Sequence, residues 1–128
     1  MVLDANVVVA ALVDNGPKGK WAEQLLVDDG LVAPHLMMFE VANILRRLAL
    51  AGEISDDLVT LAHADLLDLR IELFTYDALA SRVWDLRNNV TCYDAAYVAL
   101  AEGLGCPLAT LDIRLTKAPG LSCRFLTP

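Results

Sequence analysis

Apolar residues along this chain fall into short runs of strand length, alternating with longer segments in which they recur at helical spacing. Val2 to Asp4 reads as a short strand, followed at once by a helix or helical turn over Ala5 to Val13. Asp14-Asn15-Gly16-Pro17 is a turn, and Lys18 to Asp28 has helical spacing. Leu31 to Ala33 is a brief strand that Pro34 is expected to stop, and Leu36 to Leu50 is a strong helix ended by Gly52. Ser55 is placed to cap a further helix whose first turn carries Asp56 and Asp57. Ile71 to Phe74 reads as a strand, Asp77 to Arg87 as a helix, and Thr91 to Glu102 as a helix stopped by Gly103 and Gly105. Leu108 to Thr110 and Ser122 to Leu126 complete the strands.

Short apolar strands alternating with helices predict an α/β domain with a parallel sheet. Open sheets of this kind bind ligands outside the carboxyl ends of their strands, at a topological switch point. No repeat, low-complexity tract or linker divides the chain, so a single domain over residues 1–128 is expected.

Composition sharpens this picture. Hydrophobic residues make up 56% of the sequence and the mean hydropathy is +0.47. Yet the longest uncharged apolar stretches, Ala5 to Val13 and Leu31 to Phe39, fall well short of the ~20 residues of a membrane span. Asp4 interrupts the first apolar run and no basic residue precedes it, so the N-terminus does not read as a signal peptide. The apolar surplus points to strands buried on both faces and to a homodimer interface. Cys92, Cys106 and Cys123 form no CxxC pair and read as small buried hydrophobes in a reduced, cytoplasmic setting. The net charge of −7 argues against general nucleic-acid binding, unless local basic groups and bound metal invert the field at one site.

Four acids stand out, because each adjoins an apolar segment where an unpaired carboxylate is costly. Asp4 closes the first strand, Glu40 sits at the edge of the Met37-Val41-Ile44-Leu45-Leu48 stripe, Asp94 follows Thr91 at a helix start, and Asp112 follows the fourth strand. Three have a plain structural alternative, and Asp112 alone would be an ordinary loop acid. Asp4 could cap the next helix, Glu40 could pair with Arg47, and Asp94 could complete a capping box with Thr91. If the first and fourth strands are neighbours, Asp4 and Asp112 converge, and a divalent cation becomes the natural partner for the group. Asn6 could orient a carboxylate or a water, or could be a turn residue.

Taken together, the motifs resemble those of the PIN-domain ribonucleases, and most closely the VapC toxins of toxin–antitoxin pairs. The residues that carry the resemblance are Val2-Leu3-Asp4-Ala5-Asn6, Glu40-Val41-Ala42-Asn43, Tyr93-Asp94-Ala95-Ala96-Tyr97-Val98-Ala99-Leu100-Ala101 and Thr110-Leu111-Asp112-Ile113-Arg114-Leu115-Thr116-Lys117-Ala118-Pro119-Gly120. The resemblance implies a PIN-like fold, with a central short-stranded parallel β-sheet flanked by α-helices on both faces. It implies that Asp4, Glu40, Asp94 and Asp112 form a catalytic metal site, with Asn6 and Thr110 at supporting positions beside the Thr91 cap. Residue 6 is Asn where many relatives carry Ser or Thr, which leaves no hydroxyl there. Cleavage of tRNA or rRNA loops and neutralisation by a cognate VapB-type antitoxin, whose C-terminal segment blocks the acidic pocket, are also implied.

An oxygen-only donor set selects Mg²⁺, or Mn²⁺, over zinc. The expected reaction is metal-assisted phosphodiester hydrolysis to 5′-phosphate and 3′-hydroxyl ends, with Glu40 or Asp94 positioning the water. His35 and His63 lie on different elements and do not suggest paired-imidazole chemistry. Arg46, Arg47, Arg82, Arg87, Arg114 and Lys117 are candidates for RNA contact; Arg114 and Lys117 directly follow Asp112, and Arg47 lies on the flank of Glu40. Two rival readings remain. A haloacid-dehalogenase-like phosphohydrolase needs a second Asp two residues after the first, where this chain has Asn6. The other is a non-catalytic metal-binding or protein-interaction module.

Overall fold

The computed structural model describes residues 1–128. Its strands are β1 (Val2–Leu3), β2 (Leu31–Pro34), β3 (Ile71–Phe74), β4 (Leu108–Ala109) and β5 (Phe125–Leu126). They form one all-parallel sheet in the order β3-β2-β1-β4-β5. The helices are α1 (Ala5–Val13), α2 (Pro17–Leu25), α3 (Leu36–Leu50), α4 (Asp56–Asp68), α5 (Ala80–Asp85) and α6 (Cys92–Leu104).

The chain starts in the middle of the sheet, builds outward through β2 to β3, then returns through α5 and α6 to place β4 on the other side of β1. Parallel crossovers are right-handed, so reversing the direction of travel moves the connecting helices to the opposite face. Helices α1 to α4 accordingly pack on one another, while α5 packs on α6 and α6 crosses β1, β2 and β4. The central strands are buried along their whole length, which explains their uninterrupted apolar sequence.

Several element boundaries differ from the expectation. Pro34 belongs to β2, where it pairs with Phe74 of β3. The pairing with β3 there runs through His35 N, which donates to the Phe74 carbonyl (2.9 Å), so it does not call on the missing proline N–H. The second helix runs Pro17–Leu25 and stops before Asp28. The segment expected as one helix over 77–87 is a 3₁₀ turn, Tyr76–Ala78, followed by the short α5. Strands β4 and β5 are each two residues, shorter than their apolar runs, although the bond from Thr110 N to the Leu126 carbonyl extends the pairing by one step.

The helix ends follow their sequence signals. Leu58 N donates to the Ser55 hydroxyl at the start of α4 (3.3 Å), and Gly105, with φ +62°, closes α6 in the left-handed conformation that glycine adopts without strain. Cys92 departs from expectation in being exposed, whereas Cys106 and Cys123 are half-buried. Burial first, and the charge of Glu102 second, push the Cys123 thiol up to about 11. It is therefore an unreactive thiol at neutral pH. No helix is long and apolar enough to cross a membrane.

Candidate active site

All four acids sit at the carboxyl edge of the sheet, around the β1/β4 switch point. Asp4 directly follows β1 and its N–H bonds the Ala109 carbonyl of β4 (3.0 Å). That bond fixes the two strand ends side by side. Glu40 lies in the second turn of α3, which begins two residues after β2. Asp94 lies in the first turn of α6, whose other end leads back to β4, and Asp112 lies just past β4.

A hydrogen-bond network holds Asp4. Its side chain is almost fully buried, and Oδ2 accepts from the Thr110 hydroxyl (2.6 Å) and from Asn6 Nδ2 (2.9 Å). Asn6 Oδ1 accepts from Leu111 N (3.1 Å), so one carboxamide ties α1 to the segment after β4. Thr110, wholly buried, also accepts from Asp112 N (3.0 Å). Thr110 thus links two of the acids, and Asn6 orients a carboxylate rather than making a turn. Asp4 occupies the N-cap position of α1, but its carboxylate makes no capping bond. The Asn6 backbone N–H also helps to stabilise the carboxylate.

Glu40 is held differently. Its Oε1 accepts from the hydroxyl of Tyr97, one turn beyond Asp94 on α6 (2.6 Å). Tyr97 is 1% exposed, and burial together with the neighbouring Glu40 keeps its hydroxyl protonated, so it acts only as a donor. The expected Glu40–Arg47 pair does not form. Arg47 is exposed, two turns and roughly 10 Å of helix rise farther along α3.

Asp94 N donates to the Thr91 hydroxyl (3.1 Å), which caps α6. The reciprocal half of the capping box is absent: the Asp94 carboxylate accepts no bond from the Thr91 backbone. Asp112 Oδ1 accepts from Arg114 N (2.9 Å) and Leu115 N (3.4 Å). The Arg114 guanidinium comes only within 3.9 Å of the same carboxylate, and its side chain is 97% exposed. Lys117 ends the 3₁₀ turn 115–117 and is exposed.

The protonation states of these acids are linked. Burial raises the affinity of Asp4 for its proton; the Thr110 bond opposes this and the charge of Asp94 adds to it. Glu40 is raised by burial, opposed by the Tyr97 bond, and raised further by Asp4 and Asp94. Asp94 is raised by burial and by Asp112, with the Thr91 hydroxyl opposing. Asp4, Glu40 and Asp94 thus raise one another's proton affinity at this edge, and no Lys or Arg is paired with any of them. No three of the four acids close on a single point tightly enough to ligate one ion directly. His35 and His63 are both exposed on separate elements and make no side-chain hydrogen bond.

One residue of the site, Tyr97, has no role assigned to it by the sequence pattern. Tyr97 is quoted within a motif but reads as part of the apolar face of α6; its signal is that a buried tyrosine hydroxyl needs a partner, and Asp94 stands three residues earlier. Arg87, one of the candidates for RNA contact, lines the groove that holds Asp94 and Asp112.

A doubly crossed parallel sheet with acids clustered at its switch point defines a class of α/β domains with an acidic, cation-seeking crevice. The model of the PIN domain family matches residues 1–121, and the chain belongs to that family. Over 125 residues it is 43% identical to Ribonuclease VapC1 of Mycobacterium tuberculosis, covering 97% of this chain and 94% of the relative. Among solved structures, VapC20 of M. tuberculosis, described as a sarcin-ricin loop cleaving toxin, superposes with a TM-score of 0.70 at 15% identity, over 94% of this chain and 95% of that one. VapBC2 from Rickettsia felis, bound to a DNA fragment from its promoter, matches with a TM-score of 0.68 at 14% identity, over 98% and 96% of the two chains. The fold is therefore the expected one. The phosphohydrolase alternative lacks its acid–base residue, since position 6 carries an amide already committed to Asp4 and Leu111 N.

Proposed function

We propose that this PIN domain is a divalent-metal-dependent endoribonuclease of the VapC type, the toxin of a toxin–antitoxin pair. The observation that carries the reading is the meeting of Asp4, Glu40 and Asp94 at the β1/β4 edge, where Asp4 and Glu40 are each pushed up by the charge of Asp94. The relatives named as ribonucleases supply the chemical class.

Asp4, Glu40, Asp94 and Asp112 would hold Mg²⁺ or Mn²⁺. Such an ion, when bound, stabilises charge on the scissile phosphate and makes a water acidic enough to attack at neutral pH. The residues of the chain then have separable tasks. Thr110 and Asn6 fix Asp4 Oδ2. Tyr97 fixes Glu40 Oε1 and leaves Oε2 to orient and deprotonate the attacking water. Asp94 can take the same part, and its place at the start of α6 favours its ionised form. Asp112 completes the acidic wall beside Arg114. The substrate is RNA, with tRNA or rRNA loops as the candidate targets, and the products carry 5′-phosphate and 3′-hydroxyl ends. The exposed apolar side chains, among them Phe39 and Leu50 at 80% and 71% exposure, are available to a homodimer partner and to a cognate antitoxin.

The test combines expression and end mapping. Wild-type expression should slow growth, while Asp4→Ala and Asp94→Ala relieve it and remain folded. RNA cut by the purified chain should carry 5′-phosphate ends, and EDTA should abolish the cleavage. Full activity in EDTA, or 2′,3′-cyclic phosphate ends, would exclude the mechanism. Equal growth with all three chains would favour a non-catalytic module.

A further inference from the structure

The groove containing Asp94 and Asp112 has a volume of about 580 Å³, with Arg87 and Asn89 on its α5–α6 wall and Arg114 and Ala118 on the opposite wall. Its walls are tied together. Asn89 Nδ2 donates to the Pro119 carbonyl (2.8 Å), and Arg82, paired with Glu102, donates to the Gly120 carbonyl (3.0 Å). Gly120 has φ +81°, and a Cβ there would collide with the Asn89 amide, so the close approach of these walls depends on glycine.

Arg87 is the ordered cation on this groove. Its guanidinium carbon lies 4.6 Å from the centroid of the Trp84 ring, and Nη1 donates to the Trp84 carbonyl (2.7 Å). No carboxylate comes within ion-pair distance of it, although the chain carries a net charge of −7; the two ion pairs present are Arg82–Glu102 and Arg114–Asp112. A guanidinium has five N–H donors and this one spends a single donor on the protein, which leaves a planar fork for an anion. The indole face already restricts the side chain, so little further entropy is lost on contact. Arg114, almost fully exposed, has only its 3.9 Å approach to Asp112 as a restraint.

We propose that Arg87 binds a backbone phosphate of the RNA strand lying in this groove beside the acidic centre, with Trp84 as the positioning residue that holds its guanidinium. This rests on the ribonuclease reading above. It also accounts for how so acidic a chain engages a polyanion: the grip is local, on the wall, and not a general basic surface.

The test uses the full chain carrying Asp4→Asn, to block cleavage, and a fluorescein-labelled single-stranded RNA of about ten nucleotides in magnesium buffer. Adding Arg87→Ala should weaken binding about tenfold, and should lower the slope of log K against log salt by roughly 0.7, the loss of one phosphate contact. Arg87→Lys should restore the slope but only part of the affinity, because an ammonium cannot present the fork. Trp84→Ala should weaken binding, and Trp84→Phe should recover most of it. Arg124→Ala, which removes a charge at the amino end of β5, should behave as the parent. In the cleaving chain, Arg87→Ala should raise KM and leave kcat nearly unchanged. If Arg87→Ala lowers only thermal stability, with the parental Kd and salt slope, Arg87 is a helix cap and the assignment fails while the nuclease reading stands. If the parental chain cuts no RNA with Mg²⁺ or Mn²⁺, both fail together.

Discussion

Tyr97 and Thr110 each hold one of the clustered carboxylates by a short hydrogen bond, 2.6 Å in both cases. Tyr97→Phe keeps the buried ring and removes only the hydroxyl. Stability should change by about 1 kcal/mol, while kcat should fall by roughly tenfold or more as Glu40 loses its fixed orientation. Steady-state kinetics beside a thermal melt would separate these effects; an unchanged kcat would reduce Tyr97 to a core residue. Proton linkage belongs at the same scale. Asp4, Glu40 and Asp94 all bind protons more tightly in the folded chain than their ordinary values of 3.8, 4.5 and 3.8. Above those values the folded state holds more protons than the unfolded state, so the contribution of these groups to stability falls as pH rises through the raised values. In EDTA, Asp94→Asn should therefore raise the melting temperature at neutral pH relative to the parent. A lower melting temperature for the variant would show that the acids do not repel one another as described.

At the scale of elements, the start of α6 serves structure and chemistry at once. The Thr91 hydroxyl caps the helix and also favours ionised Asp94. Thr91→Ala should cost about 1 kcal/mol of stability and weaken Mn²⁺ binding, because Asp94 then holds its proton more strongly. Thr91→Ser should restore both. Calorimetric titration of Mn²⁺ alongside melting curves would check this; loss of stability with unchanged Mn²⁺ affinity would restrict Thr91 to capping. Caps and apolar stripes such as Ser55 before α4 and Met37-Val41-Leu45 on α3 are legible in the sequence because they depend on neighbours one helical turn away. The break near Leu79 and the two-residue lengths of β4 and β5 are not, because they depend on what packs across the sheet.

For the whole molecule, mutual repulsion among the acids implies that a bound divalent ion stabilises the fold. Adding Mg²⁺ or Mn²⁺ should raise the melting temperature of the parent, and EDTA should reverse it. Asp4→Asn should abolish most of the increment, and an equal increment in that variant would place the ion elsewhere. The sequence by itself determined the alternation of short buried strands and helices, the glycine and serine boundaries, and the four acids beside apolar segments, since each is a pattern written within a few residues. Their four ordered motifs also pointed to the family. The tertiary structure decided what each acid does with its oxygens. Asp4 and Thr110 lie 106 residues apart, and Glu40 and Tyr97 lie 57 apart. Only the placement of β1 against β4, and the closing of α3 and α6 over the same sheet edge, turns residues that read locally as a cap, a boundary charge and a core tyrosine into one coupled site. Hydrogen bonds and electrostatic repulsion act over a few ångströms of space, whatever the separation along the chain.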